Sequence, residues 1–365
     1  MEFLSLKKET FGMDISDLSI KIVKLKEKKG KYLLSSFSFQ KIEKGIIEEG
    51  VIKDKEKLSF FIKEAIKKVK GEKIKTKYTV CCLPEEKAFL QVIKMPKMPD
   101  EDLKSAILFE VENYIPLPLD QVYLDWEKIP LSPLAQTQEI LVSACPKELV
   151  DSYLDVLKKS NLEPVAFEIE TMALVRVLIP EKERNSSILI LDIGETRTTF
   201  AIFSKNSLRF TSTLPISGRL FTELISKNLN LEFSKAEKIK REFGLREVLE
   251  LKFEATEKVF RTKKGKIFEA LIPVLIDLLQ QIKKTIAFFE THEMKKTGGE
   301  RIKKILICGG GANLKGLKEF LNFKLKIPVE FGNPFSNLIF LKPPPLSFEK
   351  MLSFSTAIGL AMRKE

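Results

Sequence analysis

The chain is poor in the residues that carry several common chemistries. Histidine occurs once, at His292, and cysteine four times, at Cys81, Cys82, Cys145 and Cys308. No CxxC pair and no Cys/His spacing arises from this set, which argues against a zinc centre or a disulfide framework and points to a reducing compartment. A single histidine far along the chain also leaves no histidine general base near the motifs below. Long apolar runs are missing as well: Leu271 to Leu279 is interrupted by Pro273 and Asp277, well short of the roughly 20 residues that span a bilayer. The first residues carry Glu2, Lys7, Lys8 and Glu9 and lack the apolar core of a signal peptide. A soluble, cytoplasmic chain is expected.

What is present is length, apolar content and mixed charge. With 365 residues, 44% of them hydrophobic, the chain exceeds what a single core usually holds, so two lobes are expected. Lys and Arg number 62 against 50 Asp and Glu, a net charge of +12. Lysines alternate with glutamates, as in Glu27-Lys28-Lys29 and Glu72-Lys73, which reads as a solvated surface of mixed sign. No nucleic-acid partner is expected from it.

Two stretches share one internal order, a β-branched strand ending in Asp-Ile, a polar turn and a second alternating strand: Phe11 to Leu25 and Ile188 to Phe203. Each predicts a hairpin whose turn offers backbone N–H groups to a phosphate. Further strands are expected at 32–39, 78–83, 88–95, 122–129 and 139–144. Apolar spacing predicts helices over 54–69, 100–114 with Asp100 as N-cap, 146–159, 221–228, 234–243 with Ser234 as N-cap, 266–296, 314–325 and 355–364. The apolar strand Ile305 to Cys308 runs straight into Gly309-Gly310-Gly311-Ala312.

Phe11-Gly12-Met13-Asp14-Ile15, Leu191-Asp192-Ile193-Gly194 and Cys308-Gly309-Gly310-Gly311-Ala312-Asn313-Leu314 resemble, in this order, the phosphate-1, phosphate-2 and adenosine motifs of the actin, sugar-kinase and heat-shock chaperone superfamily. Lys94 to Pro99, Glu110 to Pro118, Leu214 to Arg219, Val329 to Phe335 and Thr356 to Ala361 resemble the PilM family of type IV pilus assembly proteins in particular. The resemblance implies an α/β, actin-like two-lobed fold of duplicated ribonuclease H-like domains with an inserted small α+β subdomain. Lobe I would hold 1–79, 164–185 and 346–365, the insert 80–163, the core of lobe II 186–215 and 300–345, and its helical subdomain 216–299.

It also implies ATP or ADP with Mg²⁺ between the lobes. Asp14 and Asp192 would hold the ion through water, since hydrated Mg²⁺ needs only one or two carboxylates. Ser16, Ser19, Lys21, Gly194, Thr196, Thr198 and Gly218 would face the phosphates. Gly309, Gly310, Gly311 and Ala312 would lie under adenosine, with Glu237 and Lys240 of Ala236-Glu237-Lys238-Ile239-Lys240 beside the ribose. The chain departs from the family at Asp14-Ile15-Ser16-Asp17, where a glycine is lost and an acid gained. An acid facing a triphosphate opposes it, so weak nucleotide binding and at most slow ATP hydrolysis are expected.

The partner implied is the cytoplasmic N-terminal peptide of PilN, an inner-membrane protein, with pilus motor ATPases and platform proteins beyond it. Membrane attachment would be indirect, through PilN, and self-association is left open. Met95, Met98, Phe109, Tyr114, Ile115 and Leu117, apolar residues between prolines, are expected to form the partner groove. Two alternatives are a division tether like FtsA, which would carry a basic amphipathic membrane helix, and a small-molecule kinase of the same superfamily. Liposome cosedimentation separates the first and a phosphotransfer screen the second.

Overall fold

The computed structural model describes residues 8–28, 31–130, 136–245, 263–294, 299–336, 338–339 and 346–364. Both expected hairpins form. Phe11–Ser16 pairs antiparallel with Ser19–Lys28, and Ile188–Ile193 with Thr198–Ser204. In each unit a third strand extends the hairpin, Lys31–Lys41 in the first and Ser207–Leu214 in the second. In each, the opening strand also gains a parallel neighbour from later in the chain, Tyr78–Leu83 in one case and Lys304–Cys308 in the other. The matching order makes two related lobes, each built on its own sheet.

Alternation sorts the residues of each strand onto two faces. Leu189, Leu191, Ile193, Phe200 and Ile202 pack against the helices of lobe II, chiefly Lys263–Phe288. Ile188, Ile190, Ala201 and Phe203 point the other way, into a core shared with Val23 and Phe37 of lobe I. Both faces are therefore covered, which explains why all seven residues of Thr198–Ser204 are buried. The middle layer between the sheets consists of the helices Glu170–Leu178 and Ser355–Ala361. They approach so closely that a Cβ at Gly359 would lie 2.0 Å from the Ala173 carbonyl oxygen, so only glycine fits there.

A separate three-stranded sheet, ordered Phe89–Pro96, Thr137–Pro146, Val122–Ile129, carries the helix Asp100–Val111 on one face. The strand Tyr78–Leu83 runs in the large sheet of lobe I, parallel to both Phe11–Ser16 and Glu163–Ile169. Five of its six residues are buried, which requires a central place in a sheet covered on both sides. A buried ion pair, Arg209 Nη1 to Glu139 Oε2 at 2.5 Å, ties the three-stranded sheet to lobe II.

Some helix starts differ from expectation. Asp100 is the first helical residue, and Pro99 precedes it without a side-chain cap. Ser234 lies inside a helix that begins at Phe233. The helix expected from residue 314 starts at Leu317, because Gly311–Asn313 forms a tight 3-10 turn first. Residue 296, the expected end of the long helix, lies outside the described residues.

Candidate functional site

A cavity of about 1050 Å³ lies between the lobes, lined by residues from both hairpin turns and from the glycine-ended strand. Asp14, Ser16, Ser19 and Lys21 line it from lobe I, and Asp192, Gly194, Thr196, Gly218, Glu237, Lys240, Gly309, Gly310 and Gly311 from lobe II. The sheet registers bring these distant stretches together.

Asp14 and Lys21 are cross-strand partners in the first hairpin, and Lys21 Nζ donates to Asp14 Oδ2 at 2.8 Å. The other carboxylate oxygen of Asp14 lies 3.6 Å from the Cys82 thiol. Burial pushes that thiol well up, with Asp14 adding to the shift, so Cys82 stays a neutral donor. Burial works against the charge of Lys21, yet the carboxylate of Asp14 outweighs it and Asp192 adds to the effect, so the ammonium is held more firmly than usual. Ser16 Oγ donates to the Ser19 carbonyl at 3.1 Å and lies 3.0 Å from Ser19 Oγ, which fixes the turn.

Across the cleft, burial raises the carboxyl of Asp192 to about 6, with Lys21 opposing the shift and Asp14 adding to it. Gly309 sits against it at φ +81°, where a Cβ would come within 2.2 Å of Asp192 Oδ1. The glycine is thus required twice over, by backbone conformation and by the aspartate. Gly218 N donates to the Gly194 carbonyl at 2.9 Å, locking the second turn to the start of the helix Gly218–Leu229. Lys240 Nζ donates to the Gly218 carbonyl at 2.6 Å and to Thr222 Oγ1 at 2.7 Å, and pairs with Glu237 at 2.7 Å. Burial works against the charge of Glu237, but hydrogen bonds from Lys240, Thr222 and Arg241 prevail and bring its carboxyl down to about 2. An anionic acceptor and a pinned cation therefore share one wall.

Two expected site residues are elsewhere. Thr198 donates its hydroxyl to the Ile216 carbonyl at 2.6 Å and is fully buried; its neighbour Thr199, on the opposite face of the strand, lines the cavity instead. Ala312 is fully buried in the core of lobe II, one residue past the glycines that do line the site. Asp17 also turns away from the cavity. Its Oδ1 accepts from Gly50 N at 3.0 Å and its Oδ2 from Arg197 Nη1 at 3.1 Å, so the repulsion expected against a triphosphate is relieved.

Glu170, Arg219 and Phe233 are among the further residues that line the cavity. Glu170, at the start of a helix, is 8% exposed, and burial pushes its carboxyl well up despite the opposing charge of Arg197. Phe233 offers an exposed ring, with the Arg219 guanidinium 4.9 Å from its centroid. Only the strand-to-helix junction Ile169-Glu170 could have signalled the first; Arg219 closes the family-like stretch Leu214 to Arg219, and nothing in the pattern singled out Phe233.

The residues fit a Mg²⁺-nucleotide. Oxygen ligands from Asp14, Asp192 and Glu170, flexible lysines and a glycine-lined floor suit a hydrated hard cation and phosphates. The cavity, about 1050 Å³, lies just above the range typical of small-ligand sites, about 300–1,000 Å³.

The expected partner groove does not assemble. Met95 and Ile115 belong to the core of the three-stranded sheet and Met98 packs against it. Phe109, Tyr114 and Leu117 are exposed, and none of the six lines either cavity described here. Alternating strands and amphipathic helices place apolar residues inside first, and the core took the better half of this set. A second cavity, of about 560 Å³, lies between the open face of that sheet and lobe I, lined among others by Tyr123, Asp125, Val150, Leu154, Phe167 and Met172.

Known proteins share this arrangement. The chain is similar over 98% of both chains to the solved structure of a PilM-PilN type IV pilus biogenesis complex, with 26% identity and a TM-score of 0.78. At 12% identity it shares its fold with MreB5 of Spiroplasma citri bound to ADP, at a TM-score of 0.53. Among curated relatives, the FtsA cell division protein of Buchnera aphidicola is 31% identical over 43% of this chain and 39% of its own length. That of Neisseria meningitidis is 24% identical over 65% of this chain and 56% of its own. The chain thus spans about 40 to 60% of the length of these relatives. Among the described residues no helix is long and apolar enough to cross a membrane. The fold is the actin-like two-lobed fold, and the profile of the type IV pilus assembly protein PilM matches residues 12–365; the chain belongs to the PilM family.

Proposed function

We propose that this chain binds ATP or ADP with Mg²⁺ in the interlobe cavity and serves as a scaffold of the type IV pilus inner-membrane platform. In this reading Asp192 and Asp14 hold the ion through water, Lys21 and the two turns meet the phosphates, and Phe233, Glu237 and Lys240 border adenosine. The observation that carries it is the convergence of three distant motifs on one cavity. Turnover in this reading is slow at most.

The partner is the cytoplasmic N-terminal tail of PilN, through which the chain would reach the membrane and the motor ATPases. The second cavity is the better seat for such a tail. It borders Val122–Ile129, the outer edge of its sheet, where an extended peptide gains backbone hydrogen bonds and side-chain pockets together. The tail in this seat also lies beside the helix Lys147–Lys159, which falls within the expected insert yet packs on the core of lobe I, and whose Leu154 lines the cavity.

Calorimetry tests both halves. Mg-ATP should bind wild type with Kd on the order of micromolar and fail to bind Asp192→Ala, and a synthetic PilN tail should bind wild type and fail on Leu154→Asp. Nucleotide heat that persists in Asp192→Ala, or rapid phosphate release, would sink the slow nucleotide-bound scaffold.

A further inference from the structure

We propose that Arg197 is a positioning residue that clamps the two hairpin turns together without nucleotide, so that the cleft is assembled before its ligand arrives. Arg197 lies in the turn between Ile188–Ile193 and Thr198–Ser204, on lobe II. Its Nη1 reaches Asp17 Oδ2 in the facing turn of lobe I at 3.1 Å, and Glu86 Oε1 at 2.6 Å. Glu86 lies on the short turn Glu85–Lys87 that follows a central strand of lobe I. The side chains of Arg197, Asp17 and Glu86 are only 13, 10 and 15% exposed.

The pairing is one-sided in a way that suits a clamp. Arg197 lines the cavity, while Asp17 and Glu86 lie behind it, outside the cavity wall. The guanidinium is held by lobe I through Nη1, and the residue still lines the site. Asp17 is itself anchored, since its second oxygen accepts from Gly50 N at 3.0 Å. The Glu86 contact is a meeting of charges rather than a directed hydrogen bond, its oxygens finding no hydrogen-bond donor.

Opening the cleft would pull Arg197 out of this nest. Asp17, Glu86 and Glu170 would then face one another at the base of the cleft, the three acids whose charges act most on Arg197. Buried carboxylates deprived of a paired cation cost more than an intact pair gains, so separation is disfavoured. In a two-lobed protein without such a link, the ligand must select the closed state, and its apparent affinity is reduced by the closed fraction. Here a side-chain pair holds that state. The clamp itself does not depend on the nucleotide reading; only one arm of its test does.

The test uses paired spin labels on exposed Lys63 of lobe I and Lys227 of lobe II, each changed to Cys; the four native cysteines are buried and stay unlabelled. Distances are read by pulsed electron resonance with and without Mg-ATP. Wild type should give one narrow distance that nucleotide leaves unchanged. Arg197→Gln should give a broader, longer distribution that Mg-ATP narrows, with the apparent Kd raised about tenfold if the closed fraction falls to about a tenth. Asp17→Asn keeps the acceptor for Gly50 and should give the same change in smaller measure, so a folding failure of the first variant leaves the question open to measurement. Widening in nucleotide-free wild type, or variants that stay narrow, would overturn the clamp; loss of nucleotide heat with the distances as expected would count against the nucleotide reading alone.

Discussion

The two turns that face each other across the cleft come from the same strand-turn-strand unit, and they balance their aspartates differently. In lobe I the cross-strand partner of Asp14 is Lys21, which neutralises it directly. In lobe II the equivalent partner of Asp192 is Thr199, which carries no charge. Burial raises the carboxyl of Asp192 to about 6, and the cation that opposes this most is Lys21 from the opposite lobe, with Arg197 of its own lobe adding less. A duplicated unit has thus diverged into one self-sufficient turn and one whose acid has charge to spare for a cation.

The largest expected effect breaks that asymmetry. Asp14→Ala leaves Lys21, 13% exposed, without its direct partner, a loss of about 3 kcal/mol for a buried pair deprived of one member. Asp192→Ala removes an under-compensated acid and should leave the melting temperature unchanged or slightly higher, while abolishing the further rise that Mg-ATP gives wild type. Thermal unfolding of both variants, with and without Mg-ATP, separates the two roles. Equal destabilisation by both would mean that the two turns are equivalent after all.

A smaller effect follows from pH. The folded-state value of Asp192 lies above the ordinary 3.8, so the folded chain holds an extra proton between the two values. Its contribution to metal-free stability is present below about 4 and lost as pH rises through about 6. Mg²⁺ needs the ionised form, so its affinity should rise with pH through the same window, roughly tenfold from pH 5 to 7. Fluorescence or calorimetric titration with Mg-ATP at several pH values reads this, and Asp192→Asn should flatten the curve.

The same contrast between turns sets how much was legible in the sequence. The Asp-Ile motifs and the triple glycine could be read because a tight turn against a phosphate demands specific residues at fixed spacing, and these residues do meet at one cavity. The direction of Asp17 could not be read. Its partners Arg197 and Gly50 lie 180 and 33 residues away, and pairing over such separations leaves no periodic trace. The groove set failed for a related reason, since Met95 and Ile115 look the same in sequence whether they face a core or a peptide. The pattern of Tyr78–Leu83 marks a strand, but its sheet is a matter of pairing, which local pattern does not carry.

The smallest effect sharpens the comparison at a single step along one strand. Thr198 and Thr199 are adjacent, both buried, and point to opposite faces. Thr198→Val leaves the Ile216 carbonyl without the hydroxyl that now bonds it at 2.6 Å, at a cost of about 1 kcal/mol in stability. Nucleotide affinity should stay as it was, because that hydroxyl never reaches the cavity. Thr199→Val should leave stability nearly unchanged and weaken Mg-ATP roughly twofold, about 0.4 kcal/mol, because its side chain lines the cavity. If Thr198→Val proved the one that weakens nucleotide, the face assignment of the strand, and with it the role given to Thr199 as the uncharged partner of Asp192, would have to be reversed.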